Sequence, residues 1–469
     1  MATIAKAPPK EPLIVIVGAT GTGKSKLAVS LATKFNGEII NADAVQMYRG
    51  LPIVTNKIPP EEQNGVKHHL IDHIGLEESP WMVHEFVKES PRVIDAIRAR
   101  GKLPIVVGGT NYYVFSLLFP DSTVSKSDDE DESKITEGSV NADVENDRRD
   151  GKLAILGGPT EEIYAKLQEI DPAMARQWHP KDRRKIQRSL EIWLTTGRRA
   201  SDVYAEQKEA RVDGADGIDD SIMRYDPLIF WMEAEGATLK QRLDARVGTM
   251  VQNGLLDEVK LMREFELECK SKAIELDKSK GIWVAIGYKE LEAWLKAQEA
   301  GMKDTKVLGK LKDDGIEAVK AGTRQYAKRQ NRWIRIRLAK ALEDKNMLNR
   351  LFLLDCTQLD MWGKMVEAPS EQVVQSFITG QELPDNRSLS PLASRMFSRV
   401  DDRQIEIRQV HFCETCQKTL MTEAEWKKHL RSSGHKKVLD GIRRRAERND
   451  TGKAYQRSQA RGTSAERLS

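Results

Sequence analysis

One run of residues limits what this chain can become: Ile14-Val15-Ile16-Val17-Gly18-Ala19-Thr20-Gly21-Thr22-Gly23-Lys24-Ser25. Four β-branched residues read as a buried strand, and they enter a glycine-rich turn of the form G-x-x-x-x-G-K-S. Glycines let successive backbone N–H groups point into one concavity without Cβ clashes, and such a nest binds phosphate oxygens. The helix expected from Leu27 to Phe35 adds the partial positive charge of its N-terminus. Lys24 supplies a point cation, and Ser25 a hydroxyl suited to a phosphate-bound Mg²⁺. The loop predicts an α/β fold with a parallel sheet and phosphate held by Gly18, Ala19, Thr20, Gly21, Thr22, Gly23, Lys24 and Ser25. It recognises phosphate, not ATP in particular.

The 469 residues suffice for two or three domains. No stretch approaches the roughly eighteen apolar residues of a membrane span, so no membrane partner is expected. The first ten residues lack the apolar core of a secretory signal. Four cysteines, Cys269, Cys356, Cys413 and Cys416, are too few for a disulfide framework and suit a reducing compartment.

Further strands are expected at Gly37–Asp43, Lys102–Thr110 and Pro227–Met232. Asp43 ends the first of these, on the sheet edge where ligands sit in open α/β folds; capping the following turn is its alternative role. The strand ending Gly108-Gly109-Thr110 lacks the Mg²⁺-ordering aspartate common in phosphate-loop nucleotidases. Residues 121–151 turn acidic and polar and read as a flexible insertion, followed by helical signals at 161–169 and 183–196. The catalytic core is thus expected over 12–120 and 223–345, interrupted by an insertion at 121–222. Thr238 is a candidate N-cap for a helix reaching Asn253 that carries Arg242 and Arg246 one turn apart. That pair is either a pyrophosphate clamp or a salt-bridged face. Thr323–Arg337 reads as a basic helix with interleaved aromatics, suited to a nucleic-acid backbone or to solvent. Residues 346–408 carry little pattern and read as a linker or extension.

The spacing Cys413-x2-Cys416-x12-His429-x5-His435 gives two thiolates and two imidazoles, a closed tetrahedral Zn²⁺ set. Phe412, Leu420 and Trp426 are expected as its small core, and Thr422-x-x-Glu425 as a capping box on a helix bearing both histidines. A ββα zinc finger is therefore predicted over 409–440, with a basic disordered tail at 441–469. Lys427, Lys428 and Arg431 on its helix point to a polyanionic partner.

Several motifs together resemble the tRNA dimethylallyltransferase (tRNA isopentenyltransferase) family, in its eukaryotic branch with a C-terminal zinc finger. They are the phosphate loop, Asn41–Tyr48, Thr55-Asn56-Lys57, His68–Asp72, Gly108–Tyr113, Asp182–Glu191, Ile286–Glu290 and Thr323–Gln330. The family usually has serine where this chain has Ala44. The resemblance implies a phosphate-loop NTPase-like core with an inserted helical domain and a helical C-terminal part. It implies transfer of a dimethylallyl group from dimethylallyl diphosphate to N6 of the adenine at tRNA position 37, beside the anticodon. Asp43, Thr110 and Arg246 would then be catalytic, with Arg242 assisting at the diphosphate and Mg²⁺ held through Ser25. Gln46, Lys57, Arg184, Arg188, Arg324, Gln325, Lys328, Arg329 and Arg332 would grip the anticodon stem-loop, with the zinc finger on the stem. The family also implies a monomer, in cytoplasm and/or mitochondria with a nuclear pool. Three rivals stand: an adenylate isopentenyltransferase, a phosphate-loop kinase or ATPase with an RNA-binding tail, and a non-enzymatic RNA-binding protein with a degenerate loop.

Overall fold

A computed structural model describes residues 8–119, 154–209, 223–274, 276–278, 280–401 and 408–444. The acidic insertion at 121–151 and the tail from 445 onward lie outside the described residues. The chain divides into two compact units, 1–132 with 217–403 and 133–216 with 404–469.

In the first unit six strands form one parallel sheet, ordered β3-β2-β4-β1-β5-β6. They are β1 (Pro12–Gly18), β2 (Gly37–Asn41), β3 (His68–His69), β4 (Leu103–Val107), β5 (Asp226–Glu233) and β6 (Leu351–Asp355). Helix α1 (Lys24–Lys34) follows the phosphate loop, with α2 (Val83–Ala99) and α3 (Asn111–Leu118) after it. In the second unit come α4 (Thr160–Ile170), α5 (Pro172–Gln177), α6 (Arg183–Thr196) and α7 (Ala200–Glu209). The first unit resumes with α8 (Gly236–Gln252), α9 (Leu255–Ser271), α10 (Tyr288–Glu299) and α11 (Thr305–Trp333). A π-helical turn (Ile334–Leu338), α12 (Ala339–Asp344), α13 (Ala368–Ile378) and α14 (Pro391–Asp401) complete it. The near-continuous apolar strands fit a sheet covered on both faces. Leu13, Val15 and Val17 enter one apolar cluster, and Ile14 and Ile16 the other. The helix expected to be capped by Thr238 starts three residues earlier, after Glu235.

Of the extension expected over 346–408, residues 346–401 are instead part of the first unit's core. β6 pairs with β5 in register, Trp231 opposite Leu353, and Leu353 is fully buried. A four-residue apolar run directly after a helical turn does not declare itself as a strand, because so short a run has no readable period. Leu353→Ala is expected to destabilise the protein by about 2–5 kcal/mol. The urea midpoint should fall with the slope unchanged; a wild-type midpoint would place this segment outside the cooperative core.

In the second unit α4, α6 and their neighbours enclose a small core of Ile163, Leu167, Ile186 and Leu190. The same unit holds β7 (Arg408–Cys413), paired antiparallel with β8 (Lys418–Thr422), and α15 (Glu423–Arg431). His179 Nε2 and the Thr419 carbonyl lie 3.1 Å apart, linking the insertion helices to the β-hairpin.

Candidate active site

The phosphate loop has the conformation its glycines permit. Gly18 (φ +148°) lies so close to β5 that an added Cβ would stand 2.3 Å from the Met232 carbonyl oxygen. At Gly23 (φ +85°) a Cβ would stand 2.5 Å from the Trp362 ring. Gly23 opens α1 and offers no side-chain cap, so the first-turn N–H groups of that helix suit an anion. Lys24 Nζ donates to the Ala19 carbonyl within the same loop at 2.8 Å. Burial lowers the Lys24 ammonium to about 8, with Arg246 adding to the effect and Asp43 and Cys356 opposing it. The ammonium is therefore charged below about 8 and neutral above. The KM for a diphosphate ligand should rise by up to about tenfold per pH unit above that point. Initial rates against pH test this, and a KM that stays flat well into the alkaline range would remove Lys24 from the binding site.

Asp43 follows β2, and the turn after β4 is built around it. A Cβ on Gly108 would stand 2.1 Å from the Ala42 carbonyl oxygen, and one on Gly109 2.7 Å from Asp43 Oδ2. Asp43 Oδ1 accepts from the Val45 N–H at 3.3 Å. Burial raises the Asp43 carboxyl above its ordinary range, opposed by Lys24, the N–H groups of Val45 and Gly109, and Arg246. Burial also lowers Arg246 to about 10, with Asp43 opposing. The carboxylate thus sits among two cations beside the phosphate loop. Thr110 Oγ1 accepts from the Ala44 N–H at 3.0 Å, a contact that needs no side chain at position 44.

A second centre lies in the other unit. One ligand atom from each of Cys413, Cys416, His429 and His435 falls within 4.8 Å of the rest. His429 Nε2 is buried without a hydrogen-bond partner among the described residues, as expected of a nitrogen meant for a metal. The two histidines do not share a helix. α15 stops at Arg431, Ser432 is extended, and a new helical run covers 433–444. Six positions on one helix would point the rings roughly 240° apart, so the break is what makes both available. That run also carries regular structure past 440, where a disordered tail was expected. Thr422 caps α15 through the Glu425 N–H. Phe412, expected in the core, is 52% exposed, and Trp426 stacks instead on His411.

Comparison with known proteins agrees with this architecture. The family model described as IPP transferase matches residues 46–337. A tRNA dimethylallyltransferase of Schizosaccharomyces pombe is 37% identical, the match covering 93% of this chain and 97% of that protein. One from Homo sapiens is 33% identical over 92% and 87% respectively. The chain belongs to the tRNA dimethylallyltransferase family. A solved structure, described as snapshots of a eukaryotic dimethylallyltransferase acting on tRNA, aligns with a TM-score of 0.71 at 32% identity. It covers 94% of this chain and all of that one.

Within this family member the structure brings Asp43, Lys24 and Arg246 together around the loop, with Thr110 on the adjoining turn. Arg242, expected to assist at the diphosphate, is engaged within the protein. Its guanidinium donates to the carbonyls of Cys356 and Thr357, fastening α8 to the end of β6. Lys57 and Gln46 are likewise internal. Lys57 Nζ is held by the Tyr48 and Gly50 carbonyls and by Asp72, and its side chain is only 4% exposed. Gln46 donates to the carbonyls of Thr55 and Asn56. Both organise the 44–57 loop. Arg188 pairs with Glu191 and Arg324 with Asp244, while Arg184 lies on α6. Gln325, Lys328, Arg329 and Arg332 are exposed on α11, and Lys427, Lys428 and Arg431 on the finger helix.

Two residues that order the site carry no signal of that role in the sequence. Gln330 accepts from the Thr20 N–H at 2.8 Å and donates to the Gly109 carbonyl at 2.9 Å, bridging loop and turn. Trp362 backs Gly23 and carries Lys26 Nζ over its ring at 4.8 Å. Gln330 stands inside a motif whose visible feature is its charge, and Trp362 inside a segment that reads as a tether.

Proposed function

We propose that this protein transfers the dimethylallyl group of dimethylallyl diphosphate to N6 of the adenine at tRNA position 37. The observation that carries the reading is a half-buried carboxylate, Asp43, set beside a phosphate loop and flanked by Lys24 and Arg246. An adenine amine is a weak nucleophile. Asp43 accepts its proton as N6 attacks the first carbon of the allyl chain and the carbon–oxygen bond to diphosphate breaks. Negative charge gathers on the leaving diphosphate, where the loop N–H groups, Lys24 and Arg246 meet it. Thr110 holds the turn after β2 so that Asp43 faces this point. The adenine must leave the anticodon-loop stack to reach it, and the exposed basic face of α11 suits the RNA backbone.

Ser25, the second residue of α1, suits Mg²⁺, a metal that keeps waters and substrate phosphates as its other ligands and adds positive charge at the diphosphate. Cys413, Cys416, His429 and His435 fit Zn²⁺ in a closed structural site. The four protein ligands leave it no open position for chemistry.

The test is to incubate the protein with labelled dimethylallyl diphosphate and total tRNA, then digest to nucleosides. Labelled N6-dimethylallyladenosine is expected. Its absence sinks the reading, and label on free AMP instead would favour an adenylate acceptor. ATP hydrolysis should be absent despite the intact G-x-x-x-x-G-K-S.

A further inference from the structure

A second cavity, of about 870 Å³, opens in the first unit between the end of β5, the start of α8, α11 and α14. Its wall is basic, with Lys240, Lys328, Arg332 and Arg399 among the lining residues. The N-terminus of α8, which has no side-chain cap, opens on the same space. These features suit a phosphate.

The floor is different in kind. Glu233, the last residue of β5, is 6% exposed and lines the cavity. Its Oε1 accepts from Asn331 Nδ2 at 2.7 Å and from the Ala234 N–H at 3.1 Å. Its Oε2 is buried with no partner among the described residues, and so is Asn331 Oδ1. Two neighbouring buried acceptors without donors are costly, and such a pair is retained where a ligand supplies the missing N–H groups. Burial has pushed the Glu233 carboxyl up to about 7, as expected of a carboxylate short of donors. The π-helical turn begins at Ile334, three residues after Asn331 on the α11 axis, and such interruptions often accompany functional sites.

A ligand satisfying wall and floor together carries a phosphate and an edge with two adjacent donors. Among nucleobases the Watson–Crick edge of guanine has this pattern, with N1–H beside the N2 amino group. We infer that this cavity holds a guanine nucleotide of the RNA, its phosphate on the basic wall and its donor edge on Glu233 and Asn331. The inference rests on RNA being the substrate. α11 links the two sites, since Gln330 braces the phosphate loop while its neighbour Asn331 serves the cavity.

The experiment is calorimetric titration of the full-length protein with GMP, AMP and CMP. GMP should bind at least about tenfold more tightly than the other two. Glu233→Gln, of the same shape but turning an acceptor into a donor, should abolish that preference, and Asn331→Ala should weaken it. An unchanged thermal midpoint for Glu233→Gln ties the loss to recognition. Equal binding of all three nucleotides, no binding of GMP, or a preference that survives Glu233→Gln overturns the assignment. Prenyl transfer to tRNA is scored separately. Guanine preference without transfer keeps the pocket and removes the enzymatic reading, whereas transfer without preference removes the pocket alone.

Discussion

Asp43→Ala should lower the single-turnover rate of prenyl transfer by about 10²–10⁴-fold, the usual contribution of a positioned general base. Affinity for tRNA should not change, because Asp43 lies beneath the turn at Gly109 and not on the exposed basic face of α11. The donor KM should stay level or fall. Alanine removes a negative charge that stands beside Lys24 and Arg246, and both cations then act on the diphosphate undivided. This combination of lost rate with preserved or tightened donor binding separates a base from a structural carboxylate, whose loss would disturb the loop and raise KM. Asp43→Asn keeps the shape and should be as slow. The pH profile follows the same logic. Burial raises the Asp43 carboxyl, the base works only when ionised, and kcat/KM in the wild type should therefore fall as pH drops toward that raised value. A variant with near-normal turnover would remove Asp43 from the mechanism.

What the sequence makes legible is local. β1, the phosphate loop and α1 are contiguous, and their residue types are dictated by backbone geometry that neighbours in sequence supply. The metal ligands are legible for the same reason, since their spacing is set within one small hairpin and the helical turns after it. What stays hidden depends on tertiary contact. β6 exists as a strand because β5 offers it an edge. Gln330 becomes a brace only once α11 lies against the turn at Gly109. Trp362 supports Gly23 from a distant part of the chain. Two cations expected at a ligand are held by the protein itself, for one cause. Lys57 and Arg242 read as ligand-facing because charge is expected at a surface, yet each satisfies carbonyls that a loop or strand end would otherwise bury. Glu233 adds a refinement. β5, one of the two strands beside β1, does end in a carboxylate, but it is turned to Asn331 and the Ala234 N–H.

Cys413→Ser should abolish the fold of residues 408–444 while sparing the site around Asp43. The finger has little else to hold it. Phe412 is exposed, and Trp426 packs on His411 rather than into a larger apolar core. With so small a core, a metal held by Cys413, Cys416, His429 and His435 would supply most of the folding free energy, and a serine hydroxyl would not replace the thiolate ligand. Chelation of the wild type should give the same state, read as loss of protection in 408–444 by hydrogen exchange. The functional consequence follows from where the charges sit. Lys427, Lys428 and Arg431 lose the helix that presents them in common, so tRNA affinity should drop on the order of tenfold or more. The slope of log K against log salt should become shallower by roughly 0.7–0.9 for each phosphate that the finger no longer neutralises. The single-turnover rate at saturating tRNA should stay close to wild type, because the Asp43 mechanism uses no residue of 408–444. A large fall in that saturated rate would mean that the finger contributes to catalysis itself. An unchanged salt slope would mean that its cations never met the RNA.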